Sequence, residues 1–197
     1  MQFSEMFAKN KKIKNVMQAV QRKENVMVSG LNDSRLSFFL SGIYSRLRQT
    51  LVVITYDKNQ YVNLHEDLLR LINEENILLF PGYEVLPHEQ LEPNVSVMRD
   101  RINCLHRLQF LKKPVVVITY GPALLRGLIP ATNFKKQSLC LKIGDIINRE
   151  QLTAKLSTSG YKRVEMVDSI RQFSVRGGIV DIFSTVSGKP VRIELFG

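Results

Sequence analysis

Four short apolar runs, nearly free of charge, recur along the first two thirds of the chain: Val26-Met27-Val28-Ser29, Leu51–Thr55, Ile77–Phe80 and residues 115–119. Between them the apolar positions fall at helical spacing: Leu36, Phe39, Leu40 and Ile43, then Tyr61, Leu64, Leu68 and Ile72, then Met98, Ile102, Leu105 and Leu108. Unbroken runs of this length predict strands, and the longer spacing predicts amphipathic helices. Their alternation predicts a parallel sheet covered by helices on both faces, with the charge-free Leu51–Thr55 strand at its centre. In the third helix Arg99, Arg101 and Arg107 fall off the apolar stripe and are expected at its outer surface. A long loop with two prolines, residues 81–89, precedes that helix, and a short helix at 122–127 follows the last strand.

The pattern changes at the polar segment 133–137, which marks a boundary between a domain spanning 1–137 and one spanning 138–197. Residues 138–142 read as a strand, and Asn148 with Gln151 opens a helix that carries Leu152 and Leu156 and stops at Gly160. Strands then follow at 162–167, 173–176, 179–183 and 191–196, so the second domain is predicted to be α+β with an antiparallel sheet. Gly177-Gly178 and Ser187-Gly188-Lys189-Pro190 punctuate the last three. Arg176 and Arg192 sit inside these apolar strands, where a guanidinium needs a partner or an exposed edge. Composition favours ion pairs with Asp181 or Glu194; a partner-binding face is the alternative.

With 197 residues, 44% of them hydrophobic and 23% charged, the chain has the make-up of an ordinary globular protein. It has no apolar run of the ~18 residues that span a bilayer and no secretory leader, so a cytoplasmic protein with no membrane contact is expected. Cys104 and Cys140 belong to no CxxC pair and read as reduced core residues. The net charge of +10 favours a polyanionic or acidic partner, but the excess is diffuse. Nineteen basic side chains face twelve acidic ones up to residue 137, and nine face six beyond it. The first twenty-five residues, with Lys9, Lys11, Lys12, Lys14, Arg22 and Lys23, read as basic amphipathic helix.

Strand, glycine turn and helix at residues 26–40 form the frame in which a phosphate-binding loop begins. Such a loop needs several glycines to wrap phosphate oxygens with backbone N–H groups, a lysine, and a Ser or Thr for Mg²⁺. Here there is one glycine, Gly30; Asp33 stands in the lysine slot, and Ser34 alone remains as a metal hydroxyl. A carboxylate at that point repels a triphosphate, so the loop is degenerate and not expected to bind nucleotide. His65, His88 and His106 have no metal-ligand spacing. Glu84, Glu89 and Glu92 read as solvated loop carboxylates, and Ser29 and Ser41 lack a nucleophile elbow. Neither a catalytic residue nor a metal site is expected.

The strings FPGYEVLPHEQLEPNVSVMRDRINCLHRL (80–108), GYKRVEMV (160–167), QFSVRGGIVDIF (172–183) and PVRIELFG (190–197) resemble the N-terminal module shared by transcription-repair coupling factors and the excinuclease protein UvrB. The resemblance implies a helicase-like α/β domain 1a, then an α+β domain 2 that docks on a second excinuclease protein, UvrA. The chain ends while domain 2 is in progress and so looks like a piece of a longer protein. UvrB keeps a working phosphate loop and the coupling factors have lost it, so Asp33 makes the coupling factors the better match. A non-enzymatic piece without cofactor is implied, with ATP and Mg belonging to a downstream motor that makes the full-length protein a DNA translocase. UvrA is the implied partner of domain 2, and RNA polymerase and duplex DNA are those of the full-length protein. UvrA-contacting positions of the family fall on Arg176, Arg192 and Phe196, with Gly177 and Gly178 shaping the turn. The alternatives are a UvrB-type excinuclease component that binds ATP and damaged DNA, and a sequence-independent DNA-binding module.

Overall fold

The computed structural model describes residues 10–32, 34–83, 94–111 and 113–196. In chain order, helices α1 (Lys11–Gln21) and α2 (Ser34–Leu47) precede strand β1 (Leu51–Thr55), helix α3 (Lys58–Leu69) and strand β2 (Ile77–Phe80). Helix α4 (Val95–Phe110), strand β3 (Val116–Tyr120) and helices α5 (Gly121–Leu124), α6 (Ala131–Gln137) and α7 (Arg149–Thr158) follow. Strands β4 (Lys162–Arg163), β5 (Gln172–Arg176), β6 (Ile179–Phe183) and β7 (Pro190–Glu194) complete the chain. It divides into two compact units, Met1–Gly82 with Lys113–Leu125 and Tyr83–Lys112 with Arg126–Gly197.

The first unit holds a parallel sheet in the order β1-β3-β2. All five β3 residues are buried, because β3 lies between β1 and β2. The Leu51–Thr55 strand expected at the centre is therefore an edge, with Val52 and Ile54 about 60% exposed (61% and 60%). An uncharged run reports apolar character and not rank within the sheet. The strand expected at Val26-Met27-Val28-Ser29 is absent: these residues join neither sheet, and Met27 is 96% exposed. A four-residue apolar run gains the strand state only from a partner ladder.

Helix α3 buries Tyr61, Leu64 and Leu68, as its spacing predicts, and starts where the Asp57 carboxylate accepts from Gln60 N at 2.7 Å. Helix α2 turns Ser37, Ser41, Gly42 and Ile43 inward, a face made narrow by small residues. Ser37 Oγ donates to Asp67 Oδ2 of α3 at 2.9 Å, which satisfies a buried hydroxyl at that crossing. At the C-terminal ends of the strands, Thr119 Oγ1 donates to Phe80 O at 2.8 Å and Gly82 N to the Tyr120 hydroxyl at 3.1 Å.

In the second unit a four-stranded sheet runs β4-β5-β6-β7. It is mixed and not purely antiparallel: β5, β6 and β7 are joined antiparallel, but β4 lies parallel to β5, with Lys162 opposite Gln172. Residues 164–171 carry the chain back along the sheet before β5 begins, and a connection that returns this way delivers a parallel strand. Beneath one face, Leu152 and Leu156 of α7 pack with Phe173, Val180 and Ile182. Asn148 caps α7 by accepting from Gln151 N at 2.9 Å, and Gly160 ends the turn beyond it at φ +81°.

Three further expectations change here. Residues 138–142 are not a strand: Asp145 accepts from Lys142 N at 2.8 Å and Gly144 takes φ +90°, a local side-chain turn that competes with a ladder. Cys140 is exposed while Cys104 is buried. Arg101 of α4 is buried at 4% exposure and not on the outer surface, with its guanidinium 4.6 Å from the centre of the Tyr83 ring. Stacking on an aromatic face makes a buried cation tolerable, a possibility that helical spacing alone does not register. The polar segment 133–137 forms the greater part of α6.

Candidate partner-binding site

Cross-strand register decides which side chains share a face. Ser174, Asp181 and Arg192 lie opposite one another across β5, β6 and β7, and Arg176, Ile179 and Glu194 form the next such row. Positions two apart on a strand share a face, so Arg176, Asp181, Arg192 and Glu194 are all on the side opposite Phe173, Val180 and Ile182. Both arginines thus escape the core through alternation, which answers the cost their apolar surroundings implied.

Arg192 binds Asp181 through two hydrogen bonds, Nε to Oδ1 at 2.7 Å and Nη2 to Oδ2 at 3.0 Å. Of the two carboxylates within reach by sequence, Asp181 is the one directly across the ladder. The bond from Arg192 holds the Asp181 carboxyl below its ordinary range, and the same bond raises Arg192. Arg176 donates through Nη2 to the Glu165 carbonyl at 2.6 Å and so ties the segment after β4 to the end of β5. Gln172 Oε1 holds the same segment by accepting from Asp168 N at 3.0 Å and Ser169 N at 3.1 Å.

Arg176, Asp181 and Arg192 together line one shallow depression, with Met166, Val167 and Val191 among its other walls. Met166 is 72% exposed at its edge. The Gly177-Gly178 turn uses its two glycines differently. Gly177 adopts φ +58°, and a Cβ on Gly178 would stand 2.8 Å from the Leu195 carbonyl oxygen. The Leu195 N–H donates to Gly178 O at 2.8 Å, which fixes the chain one residue before Phe196. Phe196 is 89% exposed two residues beyond the end of β7, where the strand expected at 191–196 has already stopped, and it does not line the depression.

The phosphate-loop positions are less informative. Gly30 has φ +80° and Ser34 opens α2, while Asp33 lies outside the described residues, as do Glu84, His88, Glu89 and Glu92. Among the described residues no group of three or more His, Cys, Asp or Glu could hold a metal ion, and no helix is long and apolar enough to cross a membrane.

Residues 139–197 match the family model described as the UvrB interaction domain. The transcription-repair-coupling factor of Bacillus subtilis (strain 168) is 32% identical over 170 residues, which are 86% of this chain and 14% of that protein. That of Staphylococcus aureus (strain USA300) is 33% identical over 172 residues, 87% of this chain and 15% of the relative. The chain is similar to the UvrB-like modules of transcription-repair-coupling factors. It spans 14% to 15% of the length of these curated relatives. Within this UvrB-like module Arg176, Arg192 and Phe196 all fall in the stretch that matches the UvrB interaction domain.

Sequence reasoning missed several contacts that shape the site and the turn beside it. Arg149 reaches from α7 to donate to Gly177 O at 3.0 Å, a contact across 28 residues for which no local signal exists. Met166 and the Glu165 carbonyl come to the site because Arg176 and Gln172 hold their segment, and spacing gives no hint of that.

Proposed function

We propose that this chain is the UvrA-docking module of a transcription-repair coupling factor, and that it recruits UvrA to RNA polymerase stalled at DNA damage. The observation that carries this reading is the convergence of Arg176 and Arg192 on one exposed depression within the stretch that matches the UvrB interaction domain. Guanidiniums recognise carboxylates with two parallel hydrogen bonds, and Arg with exposed aromatic residues is over-represented among binding hot spots. Phe196, exposed one residue beyond a pinned backbone, supplies the aromatic anchor.

The module acts through its surface and not through nucleotide chemistry: Asp33 stands where a phosphate loop needs lysine. ATP and Mg belong to a DNA-translocating motor elsewhere in the full-length protein, which also engages RNA polymerase and duplex DNA. Calorimetric titration of the chain with purified UvrA tests the reading. Arg176→Ala, Arg192→Ala and Phe196→Ala are each expected to weaken binding by roughly tenfold or more while the chain stays folded. Wild-type affinity in all three refutes the site, and micromolar Mg-ATP binding by the chain refutes the degenerate loop.

A further inference from the structure

Arg192 is exposed, with 59% of its side chain accessible, and yet its head group is fixed in place. A guanidinium has five N–H donors in one plane. Asp181 occupies one edge of that plane, taking Nε at 2.7 Å and Nη2 at 3.0 Å. One hydrogen on Nη1 and the second on Nη2 remain at the outer end, and they form another two-pronged fork. Asp181, with 20% of its side chain accessible, is much the less exposed of the pair and stands directly across the ladder. We propose that Asp181 is a positioning residue of the docking site: it holds the Arg192 plane so that the outer fork receives a carboxylate of UvrA. This rests on the UvrA-docking reading above.

The gain comes from order established before binding. A long side chain that must be frozen on association loses rotamer freedom at that moment, and one already frozen does not. The partner carboxylate can then pair end-on with Arg192 without breaking the Asp181 bonds, because the two edges use different hydrogens. An opposite role for the same pair is sequestration, in which UvrA would have to displace Asp181. The two roles differ in sign. Removing the Asp181 charge loosens UvrA if Asp181 positions Arg192, and tightens UvrA if Asp181 competes for it.

The test measures UvrA binding by the wild-type chain, Asp181→Asn, Arg192→Ala and the double variant, alongside the NMR signal of the Arg192 side chain. Asp181→Asn keeps the shape but leaves one acceptor oxygen; it is expected to weaken UvrA binding about tenfold, and less than about twofold on the Arg192→Ala background. Free wild-type chain is expected to show hindered guanidinium rotation at Arg192 that Asp181→Asn abolishes. A merely structural role would move neither that signal nor the non-additivity. Equal or tighter UvrA binding by Asp181→Asn, beside a loss in Arg192→Ala, overturns the positioning role and leaves the docking reading intact. Unchanged binding in Arg176→Ala, Arg192→Ala and Phe196→Ala alike overturns the docking reading, and the positioning role with it.

Discussion

Gly178→Ala isolates the packing demand of the β5–β6 turn from its torsional demand. The added Cβ would stand 2.8 Å from the Leu195 carbonyl oxygen, which belongs to the backbone and cannot swing aside. Relief requires the two strands to part by roughly half an ångström, an overpacking cost of about 1–3 kcal/mol. The same separation stretches the Leu195 N–H bond to Gly178 O, now 2.8 Å, and a lost bond of this kind costs about 1 kcal/mol. Gly177 is the control. Its Cβ would meet nothing within 4 Å, so Gly177→Ala meets only the left-handed backbone at φ +58°. That torsion costs about 1 kcal/mol, partly offset by the lower entropy of the unfolded alanine chain. Gly178→Ala is therefore expected to destabilise the second unit by about 2–3 kcal/mol and Gly177→Ala by no more than about 1 kcal/mol. Urea unfolding followed at the amide signals of Phe173, Val180 and Ile193 reports on that sheet alone. The reasoning fails if Gly178→Ala lies within about 0.5 kcal/mol of wild type, or if Gly177→Ala is the costlier change.

Two other outcomes follow from side-chain environments. Burial pushes the Cys104 thiol up to about 11, against the smaller opposing pull of Arg101 and Arg107, while Cys140 is exposed. A thiol reagent at pH 8 should therefore titrate one cysteine quickly in the folded chain and two in urea; rapid modification of both without denaturant contradicts the burial. The Asp181 carboxyl titrates lower when folded than unfolded, so its contribution to stability is complete above the unfolded value near ~3.9 and is lost as pH falls through the depressed native value. Arg192→Ala should raise the Asp181 titration midpoint measured by NMR, and salt should weaken the effect because the pair faces solvent. An unmoved midpoint removes Arg192 as the main cause.

Helices α3 and α7 and the strands β5 to β7 were legible along the chain because each writes its environment into its own spacing. Tyr61, Leu64 and Leu68 repeat at the helical period and are buried together, and Asn148 caps through a bond three residues away. Where competition between distant segments decided the outcome, spacing misled. The Val26-Met27-Val28-Ser29 run is as apolar as a strand and joins neither sheet, β1 is as apolar as β3 and lies at the edge of the described sheet, and Arg101 is buried against an aromatic ring contributed by a loop.

The proposed docking site divides in the same way. Sequence alone determined that Arg176 and Arg192 stand in apolar strands, that two glycines bend the chain between β5 and β6, and that an aromatic closes the run read as the last strand. Only the tertiary structure decided that both arginines share the outer face, that Asp181 and not Glu194 holds Arg192, and that Arg176 clasps the Glu165 carbonyl. The reason is physical: strand propensity and turn chemistry act over a few residues, whereas register sets which side chain meets which. Register is fixed when Val180 and Ile182 are drawn onto Leu152 and Leu156, and the partner of an arginine eleven residues away is settled by that burial.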